Sequence, residues 1–561
     1  MDNYQIAENF SLLSKLMDIH GENSFKAKTY AIAAYHVENL PEQLSNTPVE
    51  KISAIKGIGE STGKKIIELL QTGELNLLKE MIDKTPPGVI ELLNIKGIGP
   101  KKIHTIWKEM EIESVGELLY ACQENRLKLY KGFGEKTQQN VIETIEFYFH
   151  NQGSYLYNQV EAVAPQIVAY LEKLFLPENV FITGAYKRQV EIIDELEFVV
   201  NSTNELIKPK FVSANPPELL EEKPGTLLYK LLNGLRLRLY TGTNNVQERL
   251  FKTTGSPEFT NAFTKKFPNV DFSQISGADD SEIFSQANIS YIPPFARECE
   301  SIIEKYKATT LPELIQPGDI KGILHSHSNW SDGSYTIEDM AKAAIEKGFE
   351  YLVLSDHSKS AFYAQGLSEE KIAAQHQYIN ELNAKLNGFK IFKSIESDIL
   401  NDGSLDYSNS ILSTFDLVIA SVHSNLKMTE EKAMMRLLNA IENPYTTILG
   451  HMTGRLLLSR KGYPVDHKKI IDACAANHVA IELNAHPSRL DIDWRHIDYA
   501  LEKNVLISID PDAHTIEGFD DIQYGVLAAQ KALVTKEQNL SSFGLKEFEA
   551  YLLKVSKAKR N

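Results

Sequence analysis

The chain has 561 residues and a formal net charge of −16, and its 43% hydrophobic and 24% charged residues are typical of a globular protein with room for several domains. No apolar run approaches the roughly 18 residues of a membrane helix, the start of the chain does not read as a signal peptide, and no Cys-x-x-Cys pair occurs. We therefore expect a cytoplasmic protein with no membrane partner. The acidic balance argues against a polycation that wraps nucleic acid.

A short pattern occurs three times in residues 1–150. Each copy is an apolar or aromatic residue, a lysine and Gly-x-Gly before a helix-like stretch: Ile55-Lys56-Gly57-Ile58-Gly59, Ile95-Lys96-Gly97-Ile98-Gly99 and Tyr130-Lys131-Gly132-Phe133-Gly134. The paired glycines permit a tight turn and present N–H groups at the start of the next helix, where anions bind. The pattern resembles the helix-hairpin-helix motif, which implies contact with the DNA backbone without base recognition. The candidate DNA-binding residues are Gly57, Gly59, Gly97, Gly99, Gly132, Gly134 and Lys65.

Residues 151–310 contain a second set of motifs. In chain order they are Gly184-Ala185-Tyr186-Lys187-Arg188, Glu191, Glu195-Leu196-Glu197, Thr254-Gly255-Ser256 with Asn261, and Tyr291-Ile292-Pro293-Pro294. They resemble motifs of the bacterial family X DNA polymerases, which carry a C-terminal phosphoesterase domain. The resemblance implies an α/β nucleotidyltransferase palm followed by a thumb, and it extends over the whole chain.

The residues that would hold the polymerase metals depart from the family. Glu195 and Glu197 replace two aspartates, and Arg238 falls where the third belongs. Glutamate is one methylene longer, and Mg²⁺ requires near-ideal octahedral geometry. A cation at position 238 would repel Mg²⁺ and pair with one of the glutamates. We therefore expect a degenerate polymerase site without Mg²⁺, unless the alignment of Arg238 is shifted.

Some members of the family also cleave abasic sites through a lysine Schiff base, and Lys65 lies nearest that position. Such chemistry needs a lysine with a depressed pKa. A lysine that contacts phosphate is the simpler interpretation, and we prefer it.

The last 240 residues alternate short apolar runs with helical stretches. Runs such as Leu352–Leu354 and Leu417–Val422 end at or just before polar residues, in most cases histidine or carboxylate. Because the active site of a β/α barrel lies at the carboxyl ends of its strands, these side chains should converge. Nine donors are candidate catalytic and metal-binding residues: His325, His327, Asp332, His357, Glu396, His423, His451, Asp512 and His514.

Nine donors are too many for one tetrahedral ion, which takes about four ligands. They suit two or three divalent ions, with Glu396 or Asp332 bridging, and nitrogen and oxygen donors without thiolate favour Mn, Zn or Fe. Such clusters clamp phosphoryl groups and activate water. The order of the motifs resembles the PHP (polymerase and histidinol phosphatase) domain, which implies a distorted (β/α)7 barrel with a trinuclear site. Arg455, Arg460 and Arg489 are candidate substrate-binding residues because guanidinium matches phosphate.

These observations predict five domains: 1–85 and 86–150, both helical with helix-hairpin-helix motifs; 151–240, a palm; 241–310, a thumb; and 316–561, a PHP barrel. The first functional hypothesis is a 3′→5′ exonuclease of DNA repair, monomeric, with an inactive polymerase core that binds DNA. The alternatives are an active polymerase with the same exonuclease, a small-molecule phosphatase, and a DNA-binding scaffold without catalysis.

Overall fold

The computed structural model describes residues 1–38, 40, 42–55, 57–149, 153–211, 216–272, 275, 280–307 and 312–560. Lys56 of the first repeat and the predicted boundaries near residues 150 and 310 lie outside these ranges. The chain divides into two compact units: Met1–Gln123 with Leu127–Tyr148, and Glu124–Arg126 with Phe149–Asn561. The finer domain boundaries remain predictions.

The first unit is helical. Its first helix begins with a capping box, in which Asp2 accepts a hydrogen bond from the Gln5 backbone N–H and the Gln5 side chain accepts one from the Asp2 N–H, and it ends at Gly21 in the left-handed region. The helices are α1 (Asn3–His20), α2 (Ser24–Glu38), α3 (Val49–Ile52), α4 (Glu60–Thr72), α5 (Asn76–Asp83), α6 (Pro87–Glu91), α7 (Pro100–Lys108), α8 (Val115–Gln123) and α9 (Glu135–Phe149).

The three Gly-x-Gly repeats fold into the same turn. The N–H groups of Ile58, Ile98 and Phe133 donate to carbonyl oxygens three residues earlier, at 2.9, 3.2 and 3.0 Å. The first glycine of each pair has φ of +91°, +92° or +93°, which the third residue of a type II turn requires. Ile58, Ile98 and Phe133 are buried, whereas the glycines face solvent at the start of α4, α7 and α9. The apolar residue therefore anchors each turn. The backbone at Gly97 and Gly132 is open, whereas at Gly57 the His36 ring lies 2.2 Å from the place that a Cβ would take.

The second unit begins with a five-stranded sheet of order β2-β4-β7-β6-β5, in which only β4 and β7 are parallel among the described strands. Strands β1 and β3 form a separate two-stranded antiparallel sheet. The elements are β1 (Tyr155–Leu156), α10 (Tyr157–Glu161), α11 (Ala164–Phe175), β2 (Val180–Thr183), α12 (Gly184–Lys187), β3 (Ile192–Ile193), β4 (Glu195–Asn201), α13 (Asn204–Ile207), β5 (Glu218–Lys223), β6 (Thr226–Lys230) and β7 (Arg236–Gly242). Among the residues that the structure describes, four α-helices follow: α14 (Val246–Thr254), α15 (Pro257–Lys266), α16 (Ser281–Gln286) and α17 (Ser301–Lys305).

The rest of the second unit is a parallel β/α barrel. Seven strands pair in the order β14-β13-β12-β11-β10-β9-β8, and a bridge between Ser326 and Ala513 joins the segments that follow β8 and β14. The strands are β8 (Gly322–Ile323), β9 (Tyr351–Leu354), β10 (Lys390–Asp398), β11 (Leu417–Ser421), β12 (Thr446–Leu449), β13 (Ala480–Asn484) and β14 (Ile507–Asp510). The helices are α18 (Ile337–Glu346), α19 (Glu369–Asn383), α20 (Asn409–Leu412), α21 (Glu430–Glu442), α22 (His467–Ala476), α23 (Ile497–Glu502), α24 (Ile522–Lys531) and α25 (Leu545–Arg560). The predicted fold class is confirmed.

Apolar packing closes one end of the barrel. Phe548 of α25 stacks on Tyr351, the first residue of β9, at 4.6 Å between ring centroids, and contacts Phe392 of β10 edge-on at 5.1 Å. All three side chains are buried. The amino ends of the strands are thus covered, and the polar side chains collect at the carboxyl ends.

Candidate metal centre

Glu396, near the carboxyl end of β10, is the centre of the polar cluster in the barrel. Its two carboxylate oxygens lie 2.9–3.6 Å from ring nitrogens of five histidines, which come from four strand ends: His325, His327, His357, His423 and His451. The Glu396 side chain is 1% exposed. A buried carboxylate surrounded by imidazoles would be available to more than one metal ion, as the sequence predicted for Glu396.

The remaining donors complete neighbouring groups. His327, Asp332, His357 and His514 each offer an atom within 4.8 Å of the others, and so do His325, His327 and Asp512. Asp512 Oδ1 lies 3.0 Å from His327 Nε2, and Asp332 Oδ1 lies 3.5 Å from His514 Nε2. The structure therefore brings all nine predicted donors into one buried cluster.

Opposite charges in the cluster oppose the effect of burial on its pKa values. Burial alone would lower the pKa of His423, but Glu396 and Asp398 raise it to about 9. Burial likewise disfavours the charged form of His514, and Asp332 raises its pKa to about 9. The pKa of His327 falls to about 4 because it is buried beside His514 and His357. The carboxylates of Asp332 and Glu396 keep pKa values well below their usual range despite burial.

The donor set fits divalent metal ions. Within the described residues, the buried His327 Nδ1 and His451 Nδ1 have no hydrogen-bond partner. A buried nitrogen without a partner costs free energy, and a metal ion would satisfy it. Imidazole and carboxylate donors without thiolate suit Zn, Mn or Fe, so the residues present agree with the predicted cofactor class.

Two carboxylates that were not predicted from the sequence contact two of the histidines, each at the ring nitrogen that does not face Glu396. Asp398 Oδ1 lies 2.6 Å from His423 Nδ1, and Glu482 Oε1 lies 2.5 Å from His325 Nδ1. Both bonds leave Nε2 of the histidine directed at Glu396. Such partners fix the tautomer and orientation of a metal-binding histidine. The sequence signal of Glu482 is a lone acidic residue inside a buried strand, Ile481-Glu482-Leu483.

A third buried carboxylate shapes the loop after β8. Asp356 accepts hydrogen bonds from the Ser328 N–H at 2.8 Å, from the Ser331 hydroxyl at 2.6 Å and from the Gln375 amide at 2.6 Å. Ser328 and Ser331 lie between His327 and Asp332 in sequence. Asp356 therefore fixes the loop that carries the candidate ligands His327 and Asp332.

Glu124 is a further acidic residue beside the cluster, and the sequence reasoning did not identify it. It belongs to the second unit, and its carboxylate lies within 4.8 Å of donor atoms of Asp512 and His514. Arg489 Nη2 lies 3.7 Å from Glu124, and Arg489 Nε lies 4.0 Å from Asp512. Arg489 thus lies beside the donor cluster, and its role in substrate binding remains a prediction.

The other two predicted arginines donate hydrogen bonds to carbonyl oxygens, and Arg455 also donates to a carboxylate. Arg455 donates to the carbonyl oxygen of Arg489 at 2.9 Å and to the Asp493 carboxylate at 2.5 Å. Arg460 donates to the carbonyl oxygen of Gly454 at 3.0 Å. Both lie in the segment between β12 and α22, and their role in substrate binding remains a prediction.

In the palm, two of the altered residues pair with one another, and the third is bound by other protein groups. Arg238 donates to both carboxylate oxygens of Glu195, with 2.9 Å between Nη2 and Oε1, and this bond raises the pKa of the guanidinium. Glu197 accepts from the Tyr240 hydroxyl at 2.7 Å and from the Ala185 N–H at 3.0 Å. Both glutamates are therefore engaged by protein donors.

Five of the six predicted DNA-binding glycines have a backbone that an anion can approach. No neighbouring atom lies within 4 Å of the position that a Cβ would occupy at Gly59, Gly97, Gly99, Gly132 or Gly134, so a ligand can approach their backbone. Lys65 is half-buried on α4, next to the exposed Lys64, which pairs with Glu60. These contacts remain predictions.

The fold and the cluster define a class of protein, namely a PHP barrel with a candidate multinuclear metal centre, joined to a palm-like sheet and helix-hairpin-helix repeats. Residues 324–486 match the PHP domain model, residues 1–75 a helix-hairpin-helix domain and residues 89–146 a SAM-like helix-hairpin-helix tandem. The chain is 30% identical to the DNA polymerase/3′-5′ exonuclease PolX of Bacillus subtilis, across 96% of both chains. It therefore belongs to the bacterial family X DNA polymerases that carry a PHP domain, as its motifs predicted.

The barrel also resembles smaller proteins. Over 36% of the chain, it is 28% identical to a probable phosphatase of Clostridium acetobutylicum, of which 82% is covered. A probable phosphatase of Caldanaerobacter subterraneus is 29% identical over 28% of the chain, which spans 60% of that protein. Among the described helices, none has the length and apolarity to cross a membrane.

Proposed function

We propose that the chain is a metal-dependent phosphodiesterase that removes nucleotides from the 3′ end of DNA during repair. The observation that carries the proposal is the convergence of five histidines on the buried Glu396. Ions in such a site would supply an activated water and neutralise charge on the phosphoryl oxygens. Mn and Zn are the first candidates, and two or three ions would use all nine donors.

The chain's own residues would bind and orient the substrate. Arg489 is the arginine nearest the cluster among the described candidates, and its planar fork can hold a phosphate through two hydrogen bonds. Asp398 and Glu482 keep two histidines aimed at the reacting centre. The exposed turns at Gly97 and Gly132 would hold the DNA backbone without reading bases.

We also propose that the polymerase centre is inactive and that the palm serves to bind DNA. Arg238 neutralises the charge of Glu195. The Glu197 carboxylate accepts a hydrogen bond from the Ala185 N–H at the start of α12. Arg188 is engaged as well, since it donates to Glu298 at 3.1 Å and to the Thr254 carbonyl oxygen at 3.0 Å. Binding of Mg²⁺ or a triphosphate would have to break these bonds.

The first test uses a primer–template labelled at the 5′ end of the primer, with Mn²⁺ and all four nucleoside triphosphates. The proposal expects products shorter than the primer and none longer. Products longer than the primer would favour the alternative, an active polymerase with a PHP exonuclease, which the 30% identity to the Bacillus enzyme supports.

A second test assigns the hydrolysis to the barrel. His423→Ala should abolish shortening of the primer while DNA affinity, measured by fluorescence anisotropy, stays near that of the unmodified protein. His478→Asn is the matched control, because His478 is exposed and has φ of +55°, which asparagine tolerates. If the protein instead hydrolysed only small phosphate monoesters, the phosphatase alternative would replace the proposal.

A further inference from the structure

We propose that Arg126 and Arg489 bind the substrate phosphodiester beside the donor cluster, and that the Glu124 carboxylate fills this site when no substrate is bound. The inference rests on the proposed nuclease function and specifies a subsite for the scissile phosphate. All three residues belong to the second unit. Glu124 and Arg126 lie far from the barrel motifs in sequence, so the pattern of strand ends does not predict them.

The Glu124 carboxylate lies between two guanidinium groups. Its Oε1 is 3.7 Å from Arg489 Nη2, and its Oε2 is 3.7 Å from Arg126 Nη1. Each carboxylate oxygen therefore faces a different arginine. The Glu124 side chain is 11% exposed and that of Arg489 is 5% exposed, so solvent and salt screen these charges only in part.

A phosphodiester has the chemistry that the carboxylate presents at this place. It carries one negative charge, and its two non-bridging oxygens accept hydrogen bonds, as the two oxygens of a carboxylate do. Guanidinium groups pair with both kinds of anion. A phosphodiester could therefore replace the Glu124 carboxylate between Arg126 and Arg489 without changing the net charge of the site.

The same carboxylate borders the candidate metal ligands. One of its oxygens lies within 4.8 Å of a donor atom of Asp512 and of a donor atom of His514. A phosphate in its place would thus be next to the proposed ions, which would neutralise charge on the phosphoryl oxygens. Glu124 itself is a poor metal ligand, because an ion would have to share the carboxylate with two guanidinium groups that repel it.

The segment that carries Glu124 is anchored to the barrel. The Asn125 side-chain amide donates to the Ser334 hydroxyl at 2.8 Å, and the Ser334 N–H donates to the carbonyl oxygen of His514 at 2.8 Å. Asn125 has φ of +57°, a region that asparagine tolerates. The two ion pairs of Glu124 are longer than the roughly 2.7–3.2 Å of a hydrogen bond. The carboxylate is therefore held at the site but bound loosely enough for a substrate to displace it.

The test measures binding of diethyl phosphate, a diester with one negative charge and no nucleobase, by phosphorus NMR. The protein is loaded with Mn²⁺ and freed of excess ion, because bound Mn²⁺ broadens the phosphorus signal of a phosphate beside it. Glu124→Gln keeps the shape of the side chain and removes its charge. If Glu124 fills the site in about nine-tenths of the molecules, this variant should lower the Kd about tenfold.

Arg126 is tested in the same background. Glu124→Gln/Arg126→Ala should have a Kd about tenfold higher than Glu124→Gln, because a hydrogen bond from a charged donor is lost. Asn125→Gly keeps the charge of Glu124 but removes the anchor to Ser334, and glycine adopts a positive φ readily. It should lower the Kd by a smaller factor than Glu124→Gln. The control is Glu502→Gln, an exposed glutamate at the end of α23, which should leave the Kd unchanged.

An unchanged Kd in Glu124→Gln would overturn the proposal. A gain in Glu124→Gln with none in Asn125→Gly would indicate charge repulsion alone and would overturn the occupancy of the site by Glu124. An equal Kd in Glu124→Gln and the double variant would overturn the role of Arg126.

Manganese content, measured by atomic absorption, should be the same in the unmodified protein and in Glu124→Gln. A lower content in Glu124→Gln would make Glu124 a metal ligand and overturn its role as a substitute for phosphate. Failure of the unmodified protein to shorten a labelled primer would overturn the proposed nuclease function alone, since the NMR titration requires no catalysis.

Discussion

Arg238 donates two hydrogen bonds to Glu195 across neighbouring parallel strands, with 2.9 Å between Arg238 Nη2 and Glu195 Oε1. The two side chains are 20% and 18% exposed. The pair therefore lies in a partly desolvated environment, where each charge depends on the other.

The first prediction concerns this pair. Arg238→Ala leaves the Glu195 carboxylate without its main partner, and we expect the free energy of unfolding to fall by about 1–3 kcal/mol. The measurement is the urea midpoint of unfolding, followed by circular dichroism. The Arg238→Ala/Glu195→Gln double variant should recover part of the loss, and neither variant should extend a primer. An unchanged midpoint in Arg238→Ala would show that the pair does not stabilise the palm.

The second prediction concerns protons in the metal centre. Without metal, Glu396 and Asp398 hold the pKa of His423 at about 9 against the effect of burial, and Asp332 does the same for His514. A histidine must be neutral to bind a metal ion, so binding near neutral pH should release protons, and metal affinity should rise with pH up to about 9. Calorimetry in two buffers with different ionisation enthalpies measures the number released.

The same pKa values predict the stability of the metal-free protein. Because the folded pKa of His423 exceeds its unfolded value of about 6.5, its contribution is fully present below that pH. It is lost as pH rises through about 9. The melting temperature of the metal-free protein should fall over this range, while that of the metal-loaded protein should not. Glu396→Gln should weaken the dependence, since it removes the shared carboxylate.

The third prediction concerns Asp398 as a positioning residue. Asp398→Ala removes the acceptor 2.6 Å from His423 Nδ1 and should lower metal affinity or kcat by about 10- to 100-fold. Metal titration and single-turnover hydrolysis measure the two effects, and Asp398→Asn should retain more of both than Asp398→Ala. The control is Asp472→Ala. It changes an exposed aspartate of α22 that pairs with Lys503. Equal behaviour of the two alanine variants would argue against positioning.

The fourth prediction concerns the exposed turns. Gly99 has φ of −91°, which any residue adopts, and no neighbouring atom lies within 4 Å of the place that a Cβ would take. Gly99→Ala should therefore leave stability unchanged but weaken DNA binding, because its methyl group would meet the approaching backbone phosphate. Gly97→Ala, at φ of +92°, should also cost about 1–2 kcal/mol of stability. Fluorescence anisotropy at two salt concentrations and thermal melting separate the two effects.

The barrel and its donors were predictable for a specific physical reason. Parallel strands buried on both faces appear as short apolar runs, and ligands directly after them must share one rim, as His357 and His423 do. The three Gly-x-Gly turns were likewise predictable, because a positive φ demands glycine at one fixed position.

The rest depended on pairings that sequence spacing does not determine. Asp398 ends β10 and Glu482 lies within β13, and neither position indicates the histidine that the acidic residue faces. Glu124 is far from Asp512 and His514 in sequence, so no local pattern joins them. Arg238 is opposite Glu197 in the strand register, yet it pairs with Glu195. The choice of partner therefore depends on the lengths of the side chains on β4 and β7.

The bridge between Ser326 and Ala513 brings together segments separated by nearly 190 residues. His325 and His327 flank one side of that bridge, and Asp512 and His514 flank the other. The donor set is therefore shared between the first and last strands of the barrel. During synthesis, the ribosome releases His327 long before His514, and the complete set of nine donors cannot assemble until the last strand has emerged and paired. Loading of the proposed ions would therefore be a late event in maturation, and a chain truncated before residue 512 should lack the complete donor set.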